Sequence, residues 1–509
     1  MKDSLKAVRA ALGLALAGTL WAAPANTQTF KQADDPWFKA GQAALERAKQ
    51  RKPILGPATN IILFLGDGMS IATTTAARIL EGQNRGQSGE ENFLSFETMP
   101  HVALSKTYNS NQQTPDSAGT MSAIMTGVKT KAGVISVTDK SLRADCTGSL
   151  GNEATTLLEL AEMVGMSTGV VTTARLTHAT PAATYAHVPE RNWEDDKDMP
   201  RPAIDAGCRD IARQLIEFPF GNGLEVALGG GRRSFLPATV ADPEGEGRAG
   251  KRQDDRDLIE EWVKKYPNAA YVWNQAQFDA VDPNAVDHLL GLFNWSHMQY
   301  EVDRAKDPGG EPSLGQMTGK AIEILSKNDR GYFLMVEGSR IDHANHVGNA
   351  YRILYETIEF SNAVRVAMEK TDPNDTLIIV TADHAQALTI SGYPTRGNPI
   401  LGKVIENDEH GRPRGEFAKD LNGLPFTTLT FINGPGYRGE GRPDLTDVDT
   451  TRIDYMQEAL VPRNSGSHSG EDVAIYARGS GAYLFDGVVE QNYIFHVMDE
   501  ALRLRQRAK

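Results

Sequence analysis

One short segment of the chain concentrates side chains that bind divalent cations. It reads Glu337-Gly-Ser-Arg-Ile-Asp342-His343-Ala-Asn-His346 and follows the apolar run 331–336, which predicts a buried strand. Asp342 and His346 are four residues apart, so they share one face if Asp342 opens a helix. Carboxylates are costly to bury unless something neutralises them, and carboxylate together with imidazole suits zinc. The alternative is a solvated helix start, where the helix dipole favours acidic residues.

Further acidic and imidazole side chains follow apolar runs elsewhere in the chain. They are Asp67 after run 60–65, His178 and Thr180 after run 168–172, and Asp383 and His384 after run 376–380. Ligands in open α/β sheets bind beyond the carboxyl ends of the strands. Separate strand ends would therefore deliver these polar groups to one edge of a sheet, whereas a chance arrangement would scatter them over helix faces.

Ser117 lies in the segment Thr114-Pro-Asp116-Ser117-Ala-Gly119, directly before an apolar run rich in small residues. Backbone N–H groups at a helix N-terminus favour an anion such as a phosphoryl group. The alternative is that Asp116 or Ser117 is an ordinary N-cap. No Gly-x-Ser-x-Gly elbow occurs, so a metal ion in place of a histidine base would have to lower the pKa of the serine hydroxyl.

His468 occurs late in the chain, in the small-residue loop Ser465-Gly-Ser-His468-Ser-Gly. A histidine in a loop that leads into a strand can reach a metal ion, and it can equally be an ordinary loop histidine. The residue therefore extends the set of candidate ligands without deciding its chemistry.

The elements that must position these groups alternate along the chain. Apolar runs predict strands at 60–65, 168–172, 224–228, 331–336, 376–380 and 473–476, and amphipathic or small-residue patterns predict helices at 118–128, 154–164, 203–216, 314–325, 351–368 and 492–504. Short, continuous apolar runs are typical of strands buried in a parallel sheet. The alternation predicts an α/β fold with a large, mostly parallel sheet between helices.

Three segments depart from this alternation. Residues 30–58 are polar and helix-prone and predict a leading arm, and residues 240–257, rich in Asp, Arg and Gly, predict a surface loop. Residues 386–465 are rich in Gly, Pro and Asn and contain one strand-like run, 426–431. This last segment is too long for a plain connection, so we interpret it as an inserted subdomain or lid near the site.

The N-terminus and the two cysteines indicate an exported protein. Residues 1–25 combine a basic start, an apolar stretch and the sequence Ala23-Pro-Ala25, which predicts a signal peptide and a periplasmic or secreted protein. A retained membrane anchor is the alternative. In an exported protein, the pair Cys146 and Cys208 invites a disulfide, with two buried free thiols as the alternative.

Charge and hydropathy exclude two classes of partner. The formal net charge of −13 over 509 residues argues against sequence-independent binding to nucleic acid, which needs a basic face. After the first 30 residues no apolar run approaches transmembrane length.

Motifs in sequence order make the chain resemble alkaline phosphatases, from about residue 60 to the C-terminus. They are Phe64-Leu-Gly-Asp67-Gly-Met, Asp116-Ser117-Ala, His178-Ala-Thr180-Pro-Ala, Tyr185-Ala-His-Val-Pro-Glu-Arg191-Asn-Trp, Val336-Glu337-Gly-Ser-Arg-Ile-Asp342-His343, Thr381-Ala-Asp383-His384 and His468-Ser-Gly-Glu-Asp-Val. The Arg191 segment and the Cys146 to Cys208 region are closer to the animal-type branch. The resemblance implies one catalytic domain over 26–509, a crown-like insertion at about 386–465, and a homodimer.

The resemblance also implies a role for each motif residue. Asp342, His346 and His468 would bind a first zinc, Asp67, Asp383 and His384 a second zinc, and Asp67, Thr180 and Glu337 a magnesium ion. Ser117 would be the nucleophile that forms a phosphoserine, Arg191 would bind the phosphate, and His178 and His343 would lie beside the ligands. Cys146 and Cys208 would form the animal-type disulfide.

The activity so implied is hydrolysis of phosphate monoesters with two Zn²⁺ and one Mg²⁺ per chain, and inorganic phosphate would inhibit as the product. Three alternatives remain: a related phosphodiesterase, a sulfatase, or an exported phosphate-binding protein without turnover. A sulfatase needs an oxidised Cys or Ser in a different motif. A phosphate-binding module needs hydrogen-bond donors and would avoid a set of metal ligands.

Overall fold

The computed structural model describes residues 30–245, 247–439 and 441–507. The predicted signal peptide lies outside the described residues. Contacts divide the chain into two units, Met1–Lys52 and Pro53–Lys509. In the first unit, helix α1 (Pro36–Lys49) is capped by Asp35, whose carboxylate accepts hydrogen bonds from the backbone of Trp37 and Phe38. The predicted leading arm is therefore helical over these residues.

The second unit is built on a large central sheet. The strands are β1 (Asn60–Leu65), β2 (His101–Lys106), β3 (Ser167–Arg175), β4 (Val226–Gly230), β5 (Ala269–Val272), β6 (His288–Leu292), β7 (Tyr332–Glu337), β8 (Thr376–Thr381), β9 (Ala385–Gln386), β10 (Leu388–Ile390), β11 (Leu429–Gly434), β12 (Ala459–Pro462), β13 (His468–Ser469), β14 (Val473–Arg478) and β15 (Val488–Glu490). Ten of them form one sheet in the order β15-β2-β14-β8-β1-β7-β3-β4-β6-β5. All neighbours are parallel except β14, which runs antiparallel to β2 and β8.

Helices cover both faces of this sheet. They are α2 (Ile71–Asn84), α3 (Ser117–Thr126), α4 (Cys146–Ser149), α5 (Leu157–Met163), α6 (Ala179–Ala182), α7 (Arg201–Asp205), α8 (Ile211–Ile216), α9 (Leu258–Lys265), α10 (Gln275–Ala280), α11 (Leu314–Leu325), α12 (Arg340–His346), α13 (Ala350–Lys370), α14 (Tyr493–Leu502) and α15 (Leu504–Arg507). Side chains of β1 alternate between two apolar clusters: Ile61 and Leu63 join one, while Ile62 and Phe64 join the other. The predicted α/β sandwich is confirmed.

One predicted helix and one predicted loop have a different structure from the one that the sequence indicated. The helix predicted at 203–216 is two helices, α7 and α8, because Gly207 lies between them with φ +99°, a conformation that ends a right-handed helix. The loop predicted at 240–257 contains no helix or strand over its described residues, 240–245 and 247–257, but it is not purely a surface loop. Arg252 within it is fully buried and forms ion pairs with Asp210 and Asp254.

Residues 386–465 contain more strand than the single run that the sequence indicated. β10, β11 and β12 form a separate three-stranded sheet, in which β11 pairs antiparallel with β10 and parallel with β12. Just outside this segment, the two-residue strand β13 pairs with β9, so that His468 lies opposite Gln386. This pairing brings the late histidine back to the end of β8.

Cys146 and Cys208 form a disulfide, with their Cα atoms 6.0 Å apart. The disulfide packs with Trp193, Met199 and Ala203 in a small buried cluster. Within the described part of the chain, no helix is long and apolar enough to cross a membrane.

Two buried carboxyl groups meet at the opposite end of β3 from the candidate ligands. Thr168 donates its hydroxyl to Glu162 and its backbone N–H to Glu225. Burial, and then the neighbouring Glu225, raises the pKa of Glu162 to about 9. A carboxyl group with a raised folded-state pKa stabilises the fold at low pH, and that contribution is lost as the pH rises through the folded-state value.

We therefore expect the substitution Glu162→Gln to protect the fold at alkaline pH. The variant should gain about 3–5 °C in Tm relative to the unsubstituted protein at pH 9.5, and less at pH 7, because glutamine cannot ionise. Thermal unfolding at both pH values checks this, with the exposed Glu416→Gln as the matched control. An equal change in Tm at both pH values would contradict the assignment.

Candidate metal centre

Three neighbouring strands place predicted site residues at one edge of the sheet. β8, β1 and β7 lie side by side, and Leu65 pairs in register with both Glu337 and Thr381. Asp67 follows β1 by two residues, Glu337 ends β7, and Asp383 follows β8. These side chains are fully buried, so parallel pairing alone brings three carboxylates that are far apart in the sequence to one place.

The described residues contain three groups whose possible ligand atoms all lie within 4.8 Å of one another. The groups are Asp342 with His384 and His468, Asp67 with Asp383 and His384, and Asp67 with His178 and Glu337. Two groups share Asp67 and two share His384. The sharing joins the three groups into one continuous centre.

Helix α12 and the β9–β13 pairing complete the first group. The His346 Nε2 atom lies 3.2 Å from an Asp342 carboxylate oxygen, so the two side chains do share one helix face. The His468 Nε2 atom is 3.3 Å from the His346 Nε2 atom and 3.7 Å from Asp342. The rings of His384 and His468 stack with centroids 3.6 Å apart, which joins this group to the next.

The ring nitrogens of three histidines fit the requirements of metal ligands. The Nδ1 atoms face backbone carbonyls: His346 faces Gly466 at 2.6 Å, His468 faces Pro115 at 2.7 Å, and His384 faces Ala385 at 3.2 Å. A carbonyl only accepts, so each Nδ1 carries a hydrogen, and in the neutral imidazole the lone pair is then on Nε2. This arrangement orients an imidazole toward a cation.

Buried oxygens that have no hydrogen-bond partner among the described residues mark the place for a further cation. They are Asp67 Oδ1, Thr180 Oγ1 and Glu337 Oε1. Thr180 lies close enough to Glu337 to affect the pKa of its carboxyl group. Unpaired buried oxygens are costly, and a hard cation such as Mg²⁺ takes oxygen ligands. The donors present therefore fit the magnesium that the resemblance implied.

Most of the buried carboxyl groups of the centre have raised pKa values, so their ionised forms are costly without positive charge nearby. Burial, and then the neighbouring Asp383 carboxylate, raises the pKa of Asp67 well above its ordinary value. Burial raises the pKa of Glu337 to about 7 and that of Asp383 to about 6. Burial acts in the same direction on Asp342, but His346, His468 and His384 together outweigh it and hold the pKa of that carboxyl group well below its usual range.

Ser117 is the first residue of α3 and faces the centre. Its hydroxyl oxygen lies 3.1 Å from His384 Nε2, and its side chain is buried. Asp116 is the N-cap, since its carboxylate accepts from the backbone N–H of Gly119. The N-cap alternative holds for Asp116, and the hydroxyl of Ser117 points at the ligand groups.

Arg191 is held beside Ser117 by two neighbours. One guanidinium nitrogen lies 3.1 Å from Asp116 Oδ2, and another lies 3.3 Å from His178 Nε2. His343 accepts from Arg340 at 3.1 Å and packs against His178 with ring centroids 5.5 Å apart. His178 and His343 therefore lie next to the ligand groups, as the resemblance implied, and His178 also belongs to the group with Asp67 and Glu337.

Sequence reasoning missed several residues of this centre. Gln386 donates its amide to Asp342, Thr172 donates its hydroxyl to Glu337, and His297 packs against His343 with ring centroids 4.1 Å apart. Thr172 is the last residue of the predicted strand 168–172, so its position at a strand end could have indicated that it belongs to the site. Gln386 lies in the two-residue strand β9 and His297 follows β6, and the apolar pattern revealed neither strand.

Comparisons with known proteins identify the family of this chain. The family model for alkaline phosphatase matches residues 58–504. The tissue-nonspecific alkaline phosphatase isozyme of Gallus gallus is 45% identical over 472 residues, covering 91% of this chain and 88% of that protein. An alkaline phosphatase of Gadus morhua is 42% identical over 479 residues, covering 92% and 97%.

A solved structure gives the same result for the fold. Thermus thermophilus alkaline phosphatase superposes with a TM-score of 0.63 at 25% identity, covering 90% of this chain and 94% of that chain. Identity to the two vertebrate proteins is higher than to this bacterial one, as the animal-type resemblance predicted. The chain therefore belongs to the alkaline phosphatase family, whose members are metal-dependent phosphate monoester hydrolases.

Proposed function

We propose that this enzyme hydrolyses phosphate monoesters through a covalent phosphoserine at Ser117, in a site that binds two zinc ions and one magnesium ion. Asp342, His346 and His468 would bind the first zinc, Asp67, Asp383 and His384 the second, and Asp67, Thr180 and Glu337 the magnesium. The observation that carries the proposal is the contact of 3.1 Å between the Ser117 hydroxyl and His384, which belongs to two of the three ligand groups.

The reaction needs two displacements at phosphorus. In the first, the Ser117 oxygen bonds to phosphorus as the ester P–O bond breaks, and the alcohol leaves with a proton. In the second, the oxygen of a water molecule bonds to phosphorus as the bond to Ser117 breaks, which releases inorganic phosphate. Divalent cations held by the three groups would lower the pKa of the attacking hydroxyl and offset the negative charge of the phosphoryl oxygens.

The chain itself supplies orientation. Asp116 accepts from Arg191 and holds the guanidinium plane beside Ser117, and the remaining N–H groups of Arg191 suit a bidentate contact with two phosphoryl oxygens. Ser117 begins a ten-residue helix, whose positive N-terminal end favours the phosphoryl group. Both features act on a dianionic phosphate, which supports a phosphate ester as the substrate.

The alternative hydrolases differ in what they need from this site. A sulfatase needs an oxidised nucleophile, and Ser117 lies in a different motif, while both cysteines are in the disulfide. A phosphodiesterase would use the same metals, so only the relative turnover of a phosphate monoester and a phosphate diester distinguishes the two activities. A phosphate-binding protein without turnover would not need the three ligand groups. The sequence further predicts export, and the family resemblance implies a homodimer; both remain predictions.

Trapping the intermediate tests the proposal. Incubation with p-nitrophenyl phosphate labelled at phosphorus, followed by acid quenching, should leave the label on the peptide that contains Ser117, with release of p-nitrophenol. Turnover of bis-p-nitrophenyl phosphate should be lower by about 10²-fold or more in kcat/KM. Turnover without label on any serine, or faster turnover of the diester, would refute the proposed mechanism or substrate.

A further inference from the structure

His297 lies beside the candidate metal centre, and the proposed mechanism does not use it. It comes five residues after β6, in a loop that packs closely on neighbouring strand ends. Met298 donates its backbone N–H to Thr173, and Gly231 donates to the carbonyl of Ser296 at 2.7 Å. The backbone on both sides of His297 is thus fixed to the sheet.

Three imidazoles meet at this point, each beside a different arginine. His178 faces Arg191, His343 faces Arg340, and His297 faces Arg175. A guanidinium only donates, so each of the three rings accepts through one nitrogen and is neutral. The rings of His297 and His178 have centroids 5.4 Å apart, and those of His297 and His343 4.1 Å apart.

His297 accepts from an arginine that is itself held in place. Its partner Arg175 ends β3 and is held by Glu194 through two hydrogen bonds of 2.6 and 2.7 Å. Arg175 also reaches the Ser296 hydroxyl at 3.4 Å. The guanidinium therefore has little freedom, and the imidazole that accepts from it has little freedom as well.

His178, like His297, contacts one arginine and has one buried ring nitrogen without a hydrogen-bond partner among the described residues. Its Nδ1 atom is buried without a hydrogen-bond partner among the described residues, and its Nε2 atom faces Arg191. Besides the contact with Arg191 and the ligand group that it shares with Asp67 and Glu337, its ring packs against the rings of His297 and His343. Since Arg191 is held by His178 on one side and Asp116 on the other, a turn of the His178 ring would move the guanidinium.

We propose that His297 is a positioning residue for phosphate binding: its ring fixes the ring of His178, which in turn fixes the guanidinium of Arg191. The inference rests on the proposed function, in which Arg191 binds the phosphate. It assigns a role to a side chain that touches neither substrate nor cation.

Substitution His297→Ala tests the inference in the metal-loaded enzyme. We expect the KM for p-nitrophenyl phosphate and the inhibition constant of inorganic phosphate each to rise by about five- to tenfold, while kcat changes by less than about twofold. His297→Phe keeps a ring against His178 and should restore the inhibition constant to within about twofold. The exposed loop variant His410→Ala is the control and should change neither constant.

A double-mutant cycle separates positioning from general damage. In the background Arg191→Ala, the change His297→Ala should have no further effect on the inhibition constant of phosphate, because the residue acts through Arg191. Equal effects in both backgrounds, or loss of zinc or magnesium from His297→Ala, would overturn the inference. If Arg191→Ala itself leaves phosphate inhibition unchanged, the proposed role of Arg191 fails first.

If His297→Ala fails to fold, two other substitutions at the same position still test the inference. His297→Gln retains an acceptor for Arg175 but no ring, so comparison with His297→Phe isolates the ring contact. Weak phosphate inhibition in His297→Gln and near-normal inhibition in His297→Phe is the expected result. The same inhibition constant in both variants would overturn the role of the ring.

Discussion

Substitution Ser117→Ala should abolish turnover of p-nitrophenyl phosphate while the protein stays folded and keeps its metal. The hydroxyl is the nucleophile in the proposed mechanism, so we expect kcat to fall by about 10⁴-fold or more. The side chain is buried at the first position of α3, where alanine is well tolerated. Steady-state kinetics and elemental analysis for zinc and magnesium check both halves of the expectation.

Ser122 provides a matched control for this experiment. It lies on the same helix, is equally buried, and donates its hydroxyl to the backbone carbonyl of Ala118. Ser122→Ala should therefore cost stability but little activity. Near-full activity in Ser117→Ala would exclude this residue as the nucleophile, and complete loss of metal would show that its role is mainly as a ligand.

The sequence predicted the centre of the sheet well, for a physical reason. β1, β7 and β8 are buried on both faces, so each is a continuous apolar run that ends abruptly where polar residues begin. Parallel strands end at the same edge of a sheet. Predicting these strands therefore also predicted that Asp67 and Asp383 lie close together. An apolar run followed by polar residues thus indicated both a buried strand and candidate metal ligands at its end.

The outer strands gave no such pattern. β2 is only partly buried, and β5 is a four-residue strand with one buried side chain. β6 contains Gly291 and begins with a histidine, so it did not stand out as an apolar run. His297 depends on β6 for its place at the sheet edge, and with β6 unrecognised nothing in the sequence connected His297 with His178 or His343.

Pairings between very short strands also could not be predicted from the sequence. β9 and β13 are two residues each, below the length at which any periodicity can be read. Their pairing places His468 opposite Gln386 and beside His384. The motif around His468 identified the residue only through the family resemblance, since its contacts come from long-range pairing.

Removal of divalent cations should both inactivate the enzyme and destabilise it. Treatment with EDTA should lower kcat by about 10³-fold or more, and it should lower Tm by about 5 °C or more because ligand binding to the folded state is lost. Both should recover on addition of zinc and magnesium. EDTA already saturated with these two metals is the control, and indifference to free chelator would contradict a metal centre.

The loss of stability on chelation should grow between pH 7 and pH 9. Burial raises the pKa of Glu337 to about 7 and, with Asp383 adding to it, raises that of Asp67 well above its ordinary value. Carboxyl groups with raised folded-state pKa values lose their stabilising contribution as the pH rises through those values. His384, whose pKa burial lowers to about 4, is neutral in both folded and unfolded chains above pH 7 and does not oppose this trend.

Bound cations should remove most of that dependence, because they favour the ionised carboxylates of Asp67 and Glu337 in the folded protein. We therefore expect the difference in Tm between the loaded and the chelated protein to widen as the pH is raised from 7 to 9, in scans at each pH with and without chelator. Buried carboxyl groups far from the centre, such as Glu162, act equally on both forms and cancel in the difference. A gap that stays constant or narrows would mean that Asp67 and Glu337 do not face the cations, and the third ligand group would have to be placed elsewhere.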